Sequence, residues 1–189
     1  MNAGADAIGL VFYPGSPRAV SLEQAAAVIA ELPPLVTAVG LFVNAERKTV
    51  EEACAALPLG LLQFHGEEDA GYCASFRRPW MKAIRVADDT DVSAVARTFP
   101  GASALLLDTY REGRPGGTGE VFDWGRVPGA LPAPVFLAGG LSSANVGRAI
   151  DAARPFAVDV SGGVEAEPGV KDPVRVKEFI EAVRAADTE

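Results

Sequence analysis

Residues 134–142 have the sequence PVFLAGGLS, and residues 157–165 have the sequence AVDVSGGVE. Each stretch is a short apolar run that leads to a pair of glycines, Gly139-Gly140 in the first and Gly162-Gly163 in the second. Paired glycines let backbone N–H groups approach an anion closely, and a helix that begins after such a loop adds a favourable partial charge. Two loops of this kind at the ends of successive strands predict a phosphate site, although paired glycines also make tight turns that bind no ligand.

Outward from these loops, short apolar runs alternate with amphipathic segments along the chain. The runs are nearly continuous in hydrophobicity, which is typical of strands buried on both faces. We predict seven strands: Ala5–Phe12, Val36–Val43, Leu59–Phe64, Trp80–Val86, Ser103–Leu107, Pro134–Ala138 and Ala157–Val160. Alternation with helices indicates a parallel α/β sheet, either open and doubly wound or closed into a barrel. A closed barrel of this class has eight strands, so periodicity leaves the choice open.

Capping residues predict where several helices begin. Ser21 and Gln24 have the spacing of a capping box, in which a serine side chain and a glutamine side chain satisfy each other's backbone N–H groups. Asp172-Pro173 suits the N-cap and first position of the last helix. We expect Asn44 to cap the helix after the second strand, and Ser142 or Ser143 to cap the helix after the first glycine pair.

Composition narrows the class of protein. The 189 residues are 49% hydrophobic and 22% charged, which suits a single globular domain over residues 1–189. The formal net charge of −8 disfavours nucleic-acid binding, because a phosphate backbone requires a basic face. Two cysteines, Cys54 and Cys73, suit a reducing compartment, and both are predicted to be small buried helix residues. No apolar run approaches the roughly 20 residues that span a bilayer, so we expect a cytoplasmic protein.

Motifs at the strand ends follow one another in a distinctive order. They are GADAIGLVF (4–12) with SPR (16–18), VGLFVN (39–44), LQFHGEE (62–68), LLDT (106–109), GGTG (116–119) with FDW (122–124), LAGGL (137–141), RPFAVDVS (154–161) and GVE (163–165). Each motif alone is weak, but the ordered set covers essentially the whole chain. On these residues the chain resembles the phosphoribosylanthranilate isomerase family of tryptophan biosynthesis.

The resemblance implies a (β/α)8 TIM barrel, here with seven parallel strands because the family's first βα unit is missing. It also implies an Amadori rearrangement, in which an aminoaldose phosphate, N-(5′-phosphoribosyl)anthranilate, becomes an aminoketose phosphate. The reaction requires an acid that protonates the ring oxygen and a base that removes the C2′ proton. The resemblance implies no metal and no organic cofactor.

The resemblance also assigns roles to individual residues. Asp108 matches the general acid, although an aspartate at this position could simply cap a loop. Arg18 matches the residue that meets the anthranilate carboxylate, for which a guanidinium can provide two parallel hydrogen bonds; the alternative is a solvated surface arginine. The remaining expected site residues are Gln63, His65 and Asp159 for the substrate, and Gly139, Gly140, Ser161, Gly162 and Gly163 for the phosphate.

Several of these roles have plainer alternatives. His65 could be a loop histidine bonded to the backbone, and Asp159 could support other residues inside the barrel. Gly162 stands where the family usually has a second serine, which puts one hydroxyl contact in doubt. The glycine-rich loop Tyr110–Glu120 could close over substrate and exclude water, or could be a solvated loop without that role.

The family's first strand carries a cysteine that acts as the base, and it precedes the segment matched by Gly4-Ala5-Asp6 by about one βα unit. Met1 stands three residues before Gly4, so we expect this strand and its base to be missing. A misassigned start, a chain completed by another chain, or a degenerate binding protein would each explain this, and the intact later motifs favour the first.

The function hypotheses therefore fall into three classes. The leading one is the isomerase. The second is a non-catalytic phosphosugar-binding barrel fragment. The third is another phosphate-binding barrel enzyme, a lyase or an epimerase, although an epimerase is expected to use metal-binding histidines and the chain has one histidine. The expected partners are a small phosphosugar substrate and no nucleic acid or membrane, in a monomer or a homodimer.

Overall fold

The computed structural model describes residues 3–109 and 122–187. In these ranges seven parallel strands follow one another in sequence order, each hydrogen-bonded to the next. They are β1 Ala7–Val11, β2 Thr37–Phe42, β3 Leu61–Phe64, β4 Trp80–Val86, β5 Ala104–Thr109, β6 Val135–Leu137 and β7 Ala157–Val158. The seven predicted parallel strands are thereby confirmed. The predicted covering loop, Tyr110–Glu120, lies outside the described residues.

Helices separate most of the strands. They are α1 Leu22–Ala30, α2 Arg47–Ala56, α3 Ala70–Ala74, α4 Val92–Arg97, α5 Val146–Ala153 and α6 Pro173–Ala186, with 3₁₀ turns at Trp124–Arg126 and Gly162–Val164. An antiparallel hairpin of β8 Glu165–Glu167 and β9 Val170–Lys171 precedes α6, and the sequence analysis missed it. Within the described ranges, no helix has both the length and the apolar composition needed to cross a membrane.

Contacts divide the chain into two compact units. The first comprises Met1–Ala83 with Gly101–Ser103, and the second comprises Ile84–Pro100 with Ala104–Glu189. Strand β4 contributes residues to both units. The single domain expected over residues 1–189 stays a prediction.

In the first unit, an aromatic cluster packs beside the parallel strands. Phe42 and Phe64 are fully buried at the ends of β2 and β3, with ring centroids 6.2 Å apart. Phe76 stacks on Phe64 at 5.7 Å. Burial on both faces, predicted for every strand, is correct for most of β2 and wrong for β1, where Ala7 and Gly9 are exposed.

In the second unit, the first four residues of β5, Ala104–Leu107, are buried. Leu137 of β6 is fully buried beside them, since Leu107 pairs with it in the parallel register. Helices α5 and α6 contact each other, and Val146 and Phe179 are their largest buried side chains. Strand β7 is short and only half-buried, which again differs from the predicted burial on both faces.

Two of the predicted caps are confirmed and two are wrong. The Ser21 hydroxyl accepts from the Gln24 N–H at 3.1 Å, and the Gln24 side chain accepts from the Ser21 N–H at 2.8 Å. Asp172 caps α6. The N-cap of α2 is Glu46 instead of Asn44, and the N-cap of α5 is Asn145 instead of Ser142 or Ser143. The side chains of Asn44 and Asn145 make the loop contacts described below.

Candidate active site

Asp108 is the penultimate residue of β5 and is half-buried, whereas the first four residues of the strand are buried. Gly139 follows the neighbouring strand β6 and has a backbone φ of +84°. A Cβ atom at Gly139 would stand 2.8 Å from Asp108 Oδ1 and would overlap the backbone nitrogen of Thr109. The close approach of these strand ends therefore requires glycine at 139, and it brings the predicted acid beside the predicted phosphate loop.

Asn145 shapes the loop between Gly140 and helix α5. Its Nδ2 donates to the Gly140 carbonyl at 3.0 Å, and its Oδ1 accepts from the Ser142 N–H at 2.8 Å. Gly140 has a φ of +67°, the left-handed region that glycine tolerates best. Because Asn145 bonds back into the loop, the helix begins only at Val146, and this explains the error in the predicted cap.

The second glycine pair lies against the first loop. Gly162 and Gly163 form a 3₁₀ turn after Ser161, and a Cβ atom at Gly163 would overlap the Leu141 carbonyl and stand 3.2 Å from the Ser142 Cα. The structure thus brings the segment 161–163 next to the segment 139–142. Asp159 directly follows β7, is exposed, and donates its N–H to the Leu137 carbonyl at 2.8 Å.

In the first unit, Gln63 and His65 are partners. Gln63 lies in β3 and is 5% exposed, and its Nε2 is 3.0 Å from His65 Nδ1. The His65 backbone N–H donates to the Phe42 carbonyl at 2.8 Å. Arg18 is half-buried after β1, and its N–H donates to the Ser16 hydroxyl at 3.1 Å.

A buried ion pair beside His65 was missed by the sequence analysis. Lys82 Nζ in β4 is 2.8 Å from Glu68 Oε2, and the two side chains are 5% and 3% exposed. Lys82 also donates to the Gly66 carbonyl at 2.5 Å. The one available signal was a lysine inside the apolar run 80–86, where buried charges are rare unless paired.

Glu68 joins the loops after β2 and β3. Its Oε1 accepts from the Asn44 N–H at 2.7 Å, and its Oε2 accepts from the Gly66 N–H at 2.8 Å. Asn44 Oδ1 accepts from the Glu67 N–H at 2.7 Å, which is the role this residue takes in place of capping α2. Burial raises the pKa of the Glu68 carboxyl, but hydrogen bonds from Lys82 and the backbone lower it more, so the net pKa is below its usual value.

The two thiols are poor candidates for a base. Burial raises the pKa of Cys73 to about 12. Burial also raises the pKa of Cys54, while the nearby charge of Arg78 acts in the opposite direction. Cys73 is buried as predicted, but Cys54 is partly exposed, which corrects the prediction for that residue. Among residues 3–109 and 122–187, His, Cys, Asp and Glu form no cluster of three or more that could hold a metal ion.

A family model and curated relatives identify the family of this chain. The family model described as N-(5′-phosphoribosyl)anthranilate (PRA) isomerase matches residues 1–182. The isomerase of Pseudomonas putida (strain W619) is 57% identical over 185 residues, which cover 98% of this chain and 90% of that protein. The isomerase of Pseudomonas aeruginosa (strain LESB58) is 57% identical over 183 residues, which cover 97% and 87%.

Solved structures of phosphoribosyl anthranilate isomerases also superpose on the chain. The phosphoribosyl anthranilate isomerase of Thermotoga maritima superposes with a TM-score of 0.87 at 40% identity, covering 97% of this chain and 90% of that one. An isomerase in complex with reduced 1-(o-carboxyphenylamino)-1-deoxyribulose 5-phosphate gives 0.83 at 39% identity, covering 97% and 89%. With its parallel strands in sequence order, the chain has the α/β barrel-type fold predicted, and it belongs to the N-(5′-phosphoribosyl)anthranilate isomerase family of tryptophan biosynthesis.

Proposed function

We propose that this chain converts N-(5′-phosphoribosyl)anthranilate into 1-(2-carboxyphenylamino)-1-deoxyribulose 5-phosphate. Family membership over residues 1–182 carries the proposal. A related isomerase, 39% identical, holds a reduced form of that product, so the ligand chemistry of a relative agrees with it. The comparisons do not favour the non-catalytic alternative, because three relatives at 57% identity are named as isomerases.

Asp108 is the proposed general acid. Its carboxyl group protonates the furanose ring oxygen, the C1′–O bond breaks, and the nitrogen lone pair forms the C1′ imine. With no base of this chain assigned, solvent water accepts the C2′ proton, which gives an enamine that tautomerises to the aminoketose. The placement of Asp108 at a strand end, beside a loop that contains two left-handed glycines, supports this role, since acids act from strand ends in such barrels.

Backbone N–H groups are the proposed ligands of the substrate phosphate. Gly139 and Gly140 supply one loop, and Ser161, Gly162 and Gly163 supply the other. A side chain at Gly163 would collide with the Leu141 carbonyl of the first loop, so glycine at this position lets the two loops lie close together. Bound phosphate then sits among donors that need no rearrangement, and the net charge of −8 elsewhere on the chain does not prevent this.

Arg18 is the proposed partner of the anthranilate carboxylate, and Gln63, His65 and Asp159 are proposed to contact the substrate. The contact between Gln63 and His65 supports the first two, because it fixes the orientation of both side chains. We propose no residue of this chain as the base. The proposal requires no metal or organic cofactor and places the reaction in the cytoplasm. It leaves the enzyme a monomer or a homodimer, since a relative from Thermotoga maritima is a dimeric isomerase of which generated monomers have been crystallised.

Asp108→Asn tests the proposal, with Asp151→Asn on the exposed face of α5 as its matched control. We expect Asp108→Asn to lower kcat by about 10²-fold or more, because general acid catalysis contributes on that order. Calorimetry should show that the variant still binds reduced 1-(o-carboxyphenylamino)-1-deoxyribulose 5-phosphate. The control should match the wild type in both measurements.

The two measurements separate the candidate functions. Wild-type chain that binds the reduced product tightly but never turns over substrate would support the phosphosugar-binding alternative. Equal turnover by wild type and Asp108→Asn would exclude Asp108 as the acid. Absence of binding by the wild type would contradict the proposed substrate itself.

A further inference from the structure

Lys171 is bonded to the loop that we assign to the phosphate. Its ammonium nitrogen donates to the Ser161 carbonyl at 2.9 Å and lies 3.4 Å from the Ser161 hydroxyl oxygen. The same nitrogen is 3.0 Å from Glu165 Oε1. Lys171 is the last residue of β9, so one end of the hairpin is tied to the start of the phosphate loop.

Glu165 holds the lysine in place. Its side chain is 5% exposed, and the residue stands opposite Lys171 in the antiparallel register. Arg175 donates from Nη1 to the Glu165 carbonyl at 2.5 Å, and the Asp172 N–H donates to the Val164 carbonyl at 2.8 Å. The hairpin is therefore fixed to the first turn of α6, which holds the backbone of Lys171 close to Ser161 while its side chain is 45% exposed.

The direction of these hydrogen bonds has a chemical consequence. An ammonium group has three donors and no acceptor, so the Ser161 oxygen must accept from Lys171. The Ser161 O–H then points away from the lysine and is oriented to donate elsewhere. Because Lys171 also donates to the Ser161 carbonyl, it polarises the peptide whose N–H belongs to Gly162, and a polarised peptide is a stronger donor.

Charge alone does not explain this arrangement. The Glu165 carboxylate lies against the ammonium group and offsets most of its charge, so Lys171 adds little net positive potential for an anion. What the lysine fixes is the direction of two donors, the Ser161 hydroxyl and the Gly162 N–H. Because Gly162 has no side chain, the Ser161 hydroxyl has no second hydroxyl beside it at the next position.

We propose that Lys171 is a positioning residue for the substrate phosphate, acting through the Ser161 hydroxyl and the Ser161–Gly162 peptide. This inference rests on the proposed function, because it assumes that the loop 161–163 binds the phosphate. It assigns Lys171 no contact with the reacting carbons. The hairpin of β8 and β9 is then the part of the fold that holds the phosphate loop ready before substrate arrives.

Binding measurements on the 189-residue chain test the proposal. The ligands are reduced 1-(o-carboxyphenylamino)-1-deoxyribulose 5-phosphate and the same compound without its phosphate. The variants are Lys171→Met, Ser161→Ala and the double variant, with Lys177→Met on the exposed face of α6 as control. Each single variant should weaken the phosphorylated ligand by about tenfold, since that is the lower range for a hydrogen bond to a charged group.

The double variant should be about as weak as Lys171→Met alone, because without the lysine the Ser161 hydroxyl is no longer oriented toward the phosphate and its removal costs little more. The affinity for the dephosphorylated ligand should stay unchanged in all of them, and Lys177→Met should match the wild type. Loss of Lys171 that weakens both ligands equally, or a double variant with multiplied effects, would overturn the proposal, since a merely structural lysine behaves that way.

Failure of the underlying function gives a different result. Wild-type chain that binds neither ligand, or that binds both equally, would contradict the proposed substrate or its phosphate loop. Wild type that prefers the phosphorylated ligand while Lys171→Met keeps the full preference would contradict the inference alone. Should Lys171→Met fail to fold, Ser161→Ala decides: an unchanged preference in that variant overturns the proposal.

Discussion

Gly139 belongs to the first of the two loops proposed to bind the phosphate, and it sets the distance between that loop and the proposed acid. A Cβ atom there would meet Asp108 Oδ1 at 2.8 Å and would overlap the Thr109 nitrogen, and the backbone φ is +84°. Gly139→Ala should therefore displace Asp108 as well as strain the backbone. We expect kcat to fall by about 10²-fold, because a displacement of about 1 Å in a catalytic group costs that much. Steady-state kinetics with substrate would measure it.

Gly101 offers a matched control for this substitution. It has a φ of +90°, but no atom lies within 4 Å of the position its Cβ would occupy. Gly101→Ala should cost only the left-handed backbone penalty, about 1–2 kcal/mol of unfolding free energy, with kcat unchanged. If Gly139→Ala retained wild-type kcat, the close approach of Gly139 to Asp108 would not be needed for catalysis.

Single residues differ in how well the sequence predicts them. Ser21, Asp172 and the glycine pairs act over a few positions, so local spacing is enough to find their caps and turns. Glu68 and Lys82 are 14 positions apart in the chain, and the parallel pairing of β3 with β4 brings the loop after β3 close to Lys82 in β4. Lys82 and Arg85 both interrupt one apolar run, and since successive strand residues face opposite sides, the sequence leaves open which of them is buried.

The ends of elements are decided by contacts that hydrophobicity does not report. Strand β5 was predicted to end at Leu107 but continues through Thr109, two residues past the last apolar side chain. The start of α5 shifts to Val146 because Asn145 bonds to Gly140 and Ser142. The hairpin of β8 and β9 was missed altogether, since strands of three and two residues leave no periodicity to detect.

Helix α6 depends on its cap. Asp172 Oδ1 accepts from the Val174 N–H at 2.8 Å and from the Arg175 N–H at 3.4 Å. Asp172→Ala should lower the free energy of unfolding by about 1 kcal/mol, the usual cost of losing such a cap. Urea denaturation would measure this change. Glu178→Ala, on an exposed position of the same helix, should be neutral or slightly stabilising, and equal losses for both would show that the cap contributes nothing.

At the scale of the whole molecule, the Glu68–Lys82 pair links stability to pH. Folding lowers the pKa of Glu68 below its usual value of 4.5, so the folded state favours the ionised carboxylate. Its stabilising effect is fully present above the pKa of the unfolded chain and is lost as pH falls through the lower folded pKa. Below that pH, the ammonium group of Lys82 remains buried with its partner neutralised.

Lys82→Met and the double variant Lys82→Met/Glu68→Gln separate this pair from the other carboxylates. At pH 7 the single variant should lose about 3–5 kcal/mol of unfolding free energy, because a buried carboxylate is left without its cation. The double variant should recover much of that loss, since it buries no unpaired charge. Urea titrations from pH 7 to pH 3 should show a steeper loss of stability for wild type than for the double variant. Parallel stability curves for wild type and the double variant would mean that folding leaves the Glu68 pKa unchanged. The control is Lys48→Met, which breaks the exposed Lys48–Glu52 pair and should follow the wild-type curve.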